Sequence, residues 1–210
     1  MSRYTGADCK RCRKLNVKLF LKGVKCYTKC LVDREKTAKT SKYSSPMQSK
    51  MSDYGKHLRE KQIARFMAGV NEAQFKRLFN IASKEKGKTG EALLRLIESR
   101  LDNIVRRAGW AISLKAARQL VNHGHVKING KSVNIPSYIL KPGDSVAVSP
   151  KCMETLTVRQ GMEHVEKGSL RPSFLSYDAS SNTAKFLRWP DRTEFSINVD
   201  EQLIVEYYSK

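Results

Sequence analysis

The first fifty residues carry fourteen Lys or Arg against three Asp or Glu. Their bulky apolar residues are few: Leu15, Val17, Leu19, Phe20, Leu21, Val24, Leu31 and Val32. A segment so composed cannot close a core by burial alone and needs a staple. Four cysteines offer one, as Cys9-x2-Cys12 and Cys26-x3-Cys30, two short pairs separated by thirteen residues. Four thiolates close a tetrahedral Zn2+ site and leave no open position, so the expected metal is structural and not catalytic. Nearby Lys and Arg favour the thiolate. Unrelated thiols, a redox-active Cys9–Cys12 pair and an iron–sulfur cluster are the rival readings; a thioredoxin-type pair needs a βαβ context. Cys152 stands alone and reads as a packed thiol. Residues 36 to 52 have almost nothing to pack and read as disordered in the free chain or laid along a partner.

Over the whole chain forty Lys and Arg face twenty Asp and Glu, a net charge of +20 on 210 residues. Self-repulsion of that size is best tolerated beside a polyanion, and nucleic acid is the expected partner. No run approaches the length of apolar sequence that spans a bilayer, so no membrane partner is expected. The N-terminal residues lack the apolar stretch of a signal peptide, and the paired cysteines read as reduced. The expected compartment is therefore the cytoplasm, with an organelle as the alternative. The sequence has no Gly-rich nucleotide loop ending in Gly-Lys-Ser, no Gly-x-Ser-x-Gly elbow and no His-Glu-x-x-His. No enzymatic activity is expected.

Residues 53 to 69 read as a helix with Asp53 as N-cap, Leu58, Ile63, Phe66 and Met67 as an apolar stripe, and Gly69 as its end. Asn71 caps a second helix bearing Phe75, Leu78, Phe79 and Ala82. Leu93, Leu94, Ile97, Leu101, Ile104, Val105 and Ala108 predict one four-turn helix closed by Gly109. Ser113 caps a short basic helix ending at Gly124, with Leu114, Ala117, Leu120 and Val121 on one side. Val126 and Ile128 begin a hairpin turned by Asn129-Gly130. Pro142-Gly143-Asp144 turns the chain into Val146-Ala-Val148, and Ser149-Pro150 starts a helix through Leu156 and Met162. Phe195, Ile197 and Val199, then Leu203, Val205 and Tyr207, alternate as an antiparallel strand pair.

The basic helix is where a polyanion is expected to dock. Helix N-terminal amides and flanking cations hold phosphates, and Arg106, Arg107, Lys115 and Arg118 lie close in sequence. Arginine meets phosphate bidentately, while Gln119, Asn122 and His123 suit ribose hydroxyls or base edges. Taken singly, each is an ordinary residue of a solvated helix face; as a set in so basic a chain they point to RNA.

Seven blocks then carry a resemblance. They are Tyr54 to Gln62 (YGKHLREKQ), Glu98 to Asn103 (ESRLDN), Ala116 to Asn134 (AARQLVNHGHVKINGKSVN), Pro136-Ser-Tyr138, Pro142-Gly-Asp144, Phe186-Leu-Arg188 with Pro190, and Glu201 to Ser209 (EQLIVEYYS). In order and spacing, over nearly the full length, they resemble the family of the bacterial-type fourth protein of the small ribosomal subunit. The resemblance implies a primary binder of small-subunit rRNA at a junction in the 5′ domain, nucleating assembly there. It implies a place by the messenger entrance channel beside small-subunit proteins five and three, contact with mRNA, and a contribution to decoding accuracy. Carried over by position, the RNA face comprises Arg100, Arg106, Arg107, Ser113, Lys115, Arg118, Gln119, His123, His125 and Lys127. The zinc-bearing members match at Cys9, Cys12, Cys26 and Cys30, although three residues part the last pair where four are usual. Ser44-Ser-Pro-Met-Gln48 also departs from the Pro-Gly-rich stretch of many members.

The expected architecture is α+β. A zinc-stapled N-terminal arm and linker occupy 1–50, a helical domain 51–98 is completed by 160–210 with short antiparallel strands, and a small α/β RNA-binding module of the family's kind fills 99–159. The rival functions are a free RNA-binding translational repressor or chaperone and, ranked last, an RNA-modifying enzyme, which needs a separate catalytic domain.

Overall fold

The computed structural model describes residues 4–33, 51–168 and 170–209. The expectation for 36–52 lies almost wholly outside them. The chain divides into two units, one running to Leu93 and resuming at Ile197, the other Leu94–Ser196.

The first unit holds α1 (Asp8–Leu15), α2 (Val24–Thr28), α3 (Asp53–Met67), α4 (Glu72–Ala82) and α10 (Glu201–Ser209). Ser52, not Asp53, caps α3, its Oγ accepting from the Gly55 amide at 3.2 Å. Asn71 caps α4 as expected, accepting from the Gln74 amide at 2.8 Å. The C-terminal strand pair is corrected: Leu203, Val205 and Tyr207 lie in α10, a helix, and no strand forms at Phe195–Val199 among the described residues. The buried position of α10 is Ile204, with Tyr208 four residues on and one turn along the same face.

Helices α3, α4 and α10 meet through polar groups as much as apolar ones. Lys61 is only 4 % exposed; its ammonium lies 2.9 Å from Glu72 and 4.3 Å from the Tyr207 ring centroid. Tyr208 donates to the same Glu72 carboxylate at 2.9 Å and packs on the Phe79 ring. His57 Nε2 lies 2.8 Å from Glu206. Burial opposes ionisation of Glu72, but hydrogen bonds from Lys61 and Tyr208 and the charges of Lys61 and Arg65 outweigh it, so its carboxyl titrates below the ordinary range. The sign follows from linkage. The contribution of Glu72 is present above the unfolded-state pKa of about 4.3 and drains as pH falls through the lower folded value. Thermal melts of Glu72→Gln are expected to lose less stability than wild type between about pH 5 and pH 3; parallel acid limbs would refute this.

The zinc staple of the arm is corrected. Among the described residues no group of three or more His, Cys, Asp or Glu is arranged to hold a metal ion. Cys9, Cys12, Cys26 and Cys30 are free thiols. Burial pushes the Cys12 and Cys26 thiols up, and the neighbouring cysteines add to the shift. Both are buried as small apolar groups, as are Leu15, Leu19 and Val32 of the same arm. The arm is fastened to α3 instead: the Arg11 guanidinium sits 3.5 Å from the Tyr4 ring centroid and 4.3 Å from that of Phe66. Arg59 donates to the Leu15 carbonyl at 3.3 Å.

The second unit contains α6 (Leu101–Ala108), α7 (Leu114–Asn122), β1 (Val126–Ile128), β2 (Lys131–Ser132), β3 (Ser145–Val148), α8 (Pro150–Met153), α9 (Leu156–Lys167), β4 (Leu175–Asp178), β5 (Thr183–Phe186) and a 3-10 turn (Arg192–Glu194). Helix α5 (Thr89–Glu98) runs across the division. The single helix expected over 93–108 is two, broken at Ser99-Arg100. There the backbone pairs with another segment: Leu140 N donates to Ser99 O, Leu101 N to Tyr138 O and Asp102 N to Pro136 O, at 2.8–3.2 Å. These bonds satisfy amides that a new helix start leaves without partners. The helix expected from Ser149-Pro150 is likewise two, α8 and α9.

The sheet is antiparallel throughout, in the order β2-β1-β3-β5-β4. Strands β4 and β5 have no counterpart in the sequence-based expectation; they extend the hairpin strands through Val146↔Ala184. Val126, Ile128, Val146, Val148, Leu175, Ala184 and Phe186 face inward against Ile104 and Val105 of α6, Ala117 and Val121 of α7, and Trp110. Cys152 is buried in this core. Helix α9 closes over it at a glycine: a Cβ on Gly161 would stand 2.5 Å from the Gly109 carbonyl oxygen. Gly161→Ala is expected to cost about 1–3 kcal/mol by overpacking, read as a lower urea midpoint. An unchanged midpoint would show that α9 can move away. No helix among the described residues is long and apolar enough to cross a membrane.

Candidate nucleic-acid interface

Helix α7 forms where the sequence places it. Ser113 has extended backbone and its Oγ accepts from the Ala116 amide at 3.3 Å. Ala117 and Val121 turn inward, while Lys115, Gln119 and Asn122 stay exposed. The chain leaves the helix through Gly124, whose φ of +74° lets His125 N bond back to Leu120 O at 3.2 Å. His123 is exposed and His125 half-buried, their rings 6.0 Å apart. Strand β1 then presents Lys127 to solvent between buried Val126 and Ile128.

The hairpin tip is held rigidly. Asn129 and Gly130 take φ of +49° and +82°, as a two-residue hairpin turn requires. Asn129 Nδ2 donates to Asp144 Oδ1 at 2.8 Å, and Asn129 Oδ1 accepts from the Ser145 amide at 2.9 Å. The Pro142-Gly143-Asp144 turn is thereby tied to the hairpin.

The arginines behind this face are braced from within. Asp102, 0 % exposed, receives a fork from Arg100 Nε (3.1 Å) and Nη2 (2.9 Å). The same carboxylate accepts from Arg118 Nε at 2.7 Å. Buried Glu98 accepts from Asn103 Nδ2, from the Ser196 amide at 2.6 Å and from the Ser196 hydroxyl. Arg106 Nη2 donates to Asn103 Oδ1 at 2.9 Å and Ser196 Oγ at 3.0 Å, and Arg107 Nη2 donates to the Glu194 carbonyl.

The structure thus brings Ser113, Lys115, Arg118, Gln119, His123, His125 and Lys127 onto one helix and the strand after it. Arg106 and Arg107, at the end of α6, are partly covered and bonded to the 194–196 segment. Arg100 is 4 % exposed and engaged by Asp102, so its part is internal. A guanidinium has five donors; one edge fixed by Asp102 gives Arg118 a defined direction at little further entropic cost. The organising acids, Glu98 and Asp102 with Asn103, escape the sequence reading as site residues. Their signal is nevertheless there, as charged and amide residues at 98–103 set between the apolar positions Ile97, Leu101 and Ile104.

Comparison with known proteins places this helix, tight hairpin and sheet. Residues 3–98 match the ribosomal protein S4/S9 N-terminal domain and residues 99–146 the S4 domain. The chain is 46 % identical to small ribosomal subunit protein uS4 of Natranaerobius thermophilus, 44 % to that of Thermus thermophilus and 48 % to that of Dictyoglomus thermophilum. Each alignment covers all of both chains. The chain belongs to the uS4 family of small ribosomal subunit proteins.

Proposed function

We infer that this chain is a structural component of the small ribosomal subunit that binds its ribosomal RNA and catalyses no reaction. Identity of 44–48 % along the entire length to uS4 proteins carries this reading. The geometry gives it a mechanism. Lys115 and Lys127, with the braced Arg118, meet phosphates. Gln119, His123 and His125 meet ribose or base edges, and Ser113 fixes where the helix begins. Release of counterions from the RNA supplies much of the free energy. Arg106 and Arg107 add positive potential behind the face, and Arg100 holds Asp102 in place.

The finer reading is that the protein nucleates the 5′ domain at a helix junction. It then lies by the messenger entrance channel of the cytoplasmic ribosome, touches mRNA, neighbours small-subunit proteins five and three, and contributes to decoding accuracy. The sequence blocks shared with the family support it. The test is co-sedimentation of the tagged chain with small subunits at high magnesium and moderate salt, with crosslinking to identify neighbours. A chain that stays at the top of the gradient would defeat the structural role, and crosslinks confined to other RNA regions and proteins would defeat the finer one.

A further inference from the structure

The arm presents a second surface that the module does not explain. Phe20 is 36 % exposed and Tyr27 54 % exposed, and their rings lie 5.1 Å apart, tilted by 35°. Phe20 holds φ of +52°, a left-handed conformation that bulky residues rarely adopt. Leu19 beside it is 2 % exposed. The backbone therefore turns one apolar side chain in and the next out, against its intrinsic preference. Such strain at an exposed aromatic marks a position held for contact.

The surroundings choose the partner. Lys22, Lys25 and Lys29 are exposed on the same loop and helix. Lys18 lies 5.5 Å from the Phe20 ring centroid while paired with Asp33 at 2.6 Å. Between residues 4 and 33, eight Lys or Arg face only Asp8 and Asp33. An apolar protein partner gains nothing from so many cations, and a purely phosphate-binding surface has no need of exposed rings. Aromatic faces among cations suit an unpaired nucleotide, whose base stacks while its phosphates are neutralised.

We propose that Phe20 and Tyr27 form a stacking platform for an unpaired nucleotide of the small-subunit ribosomal RNA. The proposal rests on the rRNA-binding function above and adds a contact in the other unit of the chain. Stacking is not ionic, so its loss leaves the salt dependence of binding unchanged, whereas loss of a lysine contact lowers it.

The experiment uses the full chain and a full-length small-subunit rRNA transcript, with filter binding across a salt series and chemical probing of base reactivity. The double variant Phe20→Leu/Tyr27→Leu is expected to bind on the order of tenfold more weakly. Its salt slope should equal that of wild type, and at least one unpaired base protected by wild type should become reactive. Phe20→Tyr/Tyr27→Phe keeps both rings and is expected to restore affinity and protection. Equal affinity and protection for the leucine variant would overturn the platform alone, as would a loss that the aromatic variant fails to restore. Absence of salt-dependent binding by wild type would overturn the rRNA reading itself.

Discussion

Replacing Asp102 with alanine is expected to destabilise the Leu94–Ser196 unit by about 3–5 kcal/mol, because it strands a buried guanidinium. The Arg100 side chain is 5 % exposed and its fork has Asp102 as acceptor. Arg118 loses the same partner. Domains are stable by only about 5–15 kcal/mol, so the change removes a large part of the margin. Both tryptophans, Trp110 and Trp189, lie in this unit, so their fluorescence in a urea titration reads it directly. Asp102→Asn keeps an acceptor but no charge and is expected to fall between alanine and wild type. A midpoint shift worth less than about 1 kcal/mol for the alanine variant would mean that water or a shifted side chain replaces the carboxylate.

The second large effect concerns binding. Lys115 on α7 and Lys127 on β1 are exposed and belong to the same face. Lys115→Ala with Lys127→Ala is expected to weaken binding to small-subunit rRNA by about tenfold or more at moderate salt. The slope of log K against log salt should fall by roughly 0.7–0.9 for each phosphate contact removed. Arg118 is a poorer probe, since its removal also strips Asp102 of a partner and mixes folding with binding. A double lysine variant with wild-type slope would show that phosphates dock elsewhere.

The parts of this fold visible in the sequence are those where a single residue type has a single local use. Ser113 as a cap, Gly124 as a helix stop and Asn129-Gly130 as a hairpin turn are of this kind, and together they outline the proposed RNA face. Other features depend on distant chain. The apolar period from Leu93 to Ala108 runs unbroken through Ser99-Arg100, because the break is made by backbone bonds to residues 136–140. Strands β4 and β5 are four residues each and gain their place only by pairing with one another and, through β5, with β3. The alternation Leu203, Val205, Tyr207 imitates a strand, yet the inward set of α10 includes Ile204. On α3, His57 and Lys61 look solvent-facing in the sequence but are buried because α10 and Glu72 supply their partners. The four cysteines illustrate the opposite error: spacing alone suggests a metal knuckle, but no metal-holding group forms among the described residues.

The docking of α10 on α3 has a consequence for how the polypeptide matures on the ribosome that makes it. Residues 94–196 can complete their sheet as soon as β5 has emerged. The earlier-made α3 must wait for the last helix, leaving His57 and Lys61 without Glu206 and Tyr207 until then. Helix α3 is thus made well before the helix that completes it, and in that interval its basic residues are open to early association with RNA.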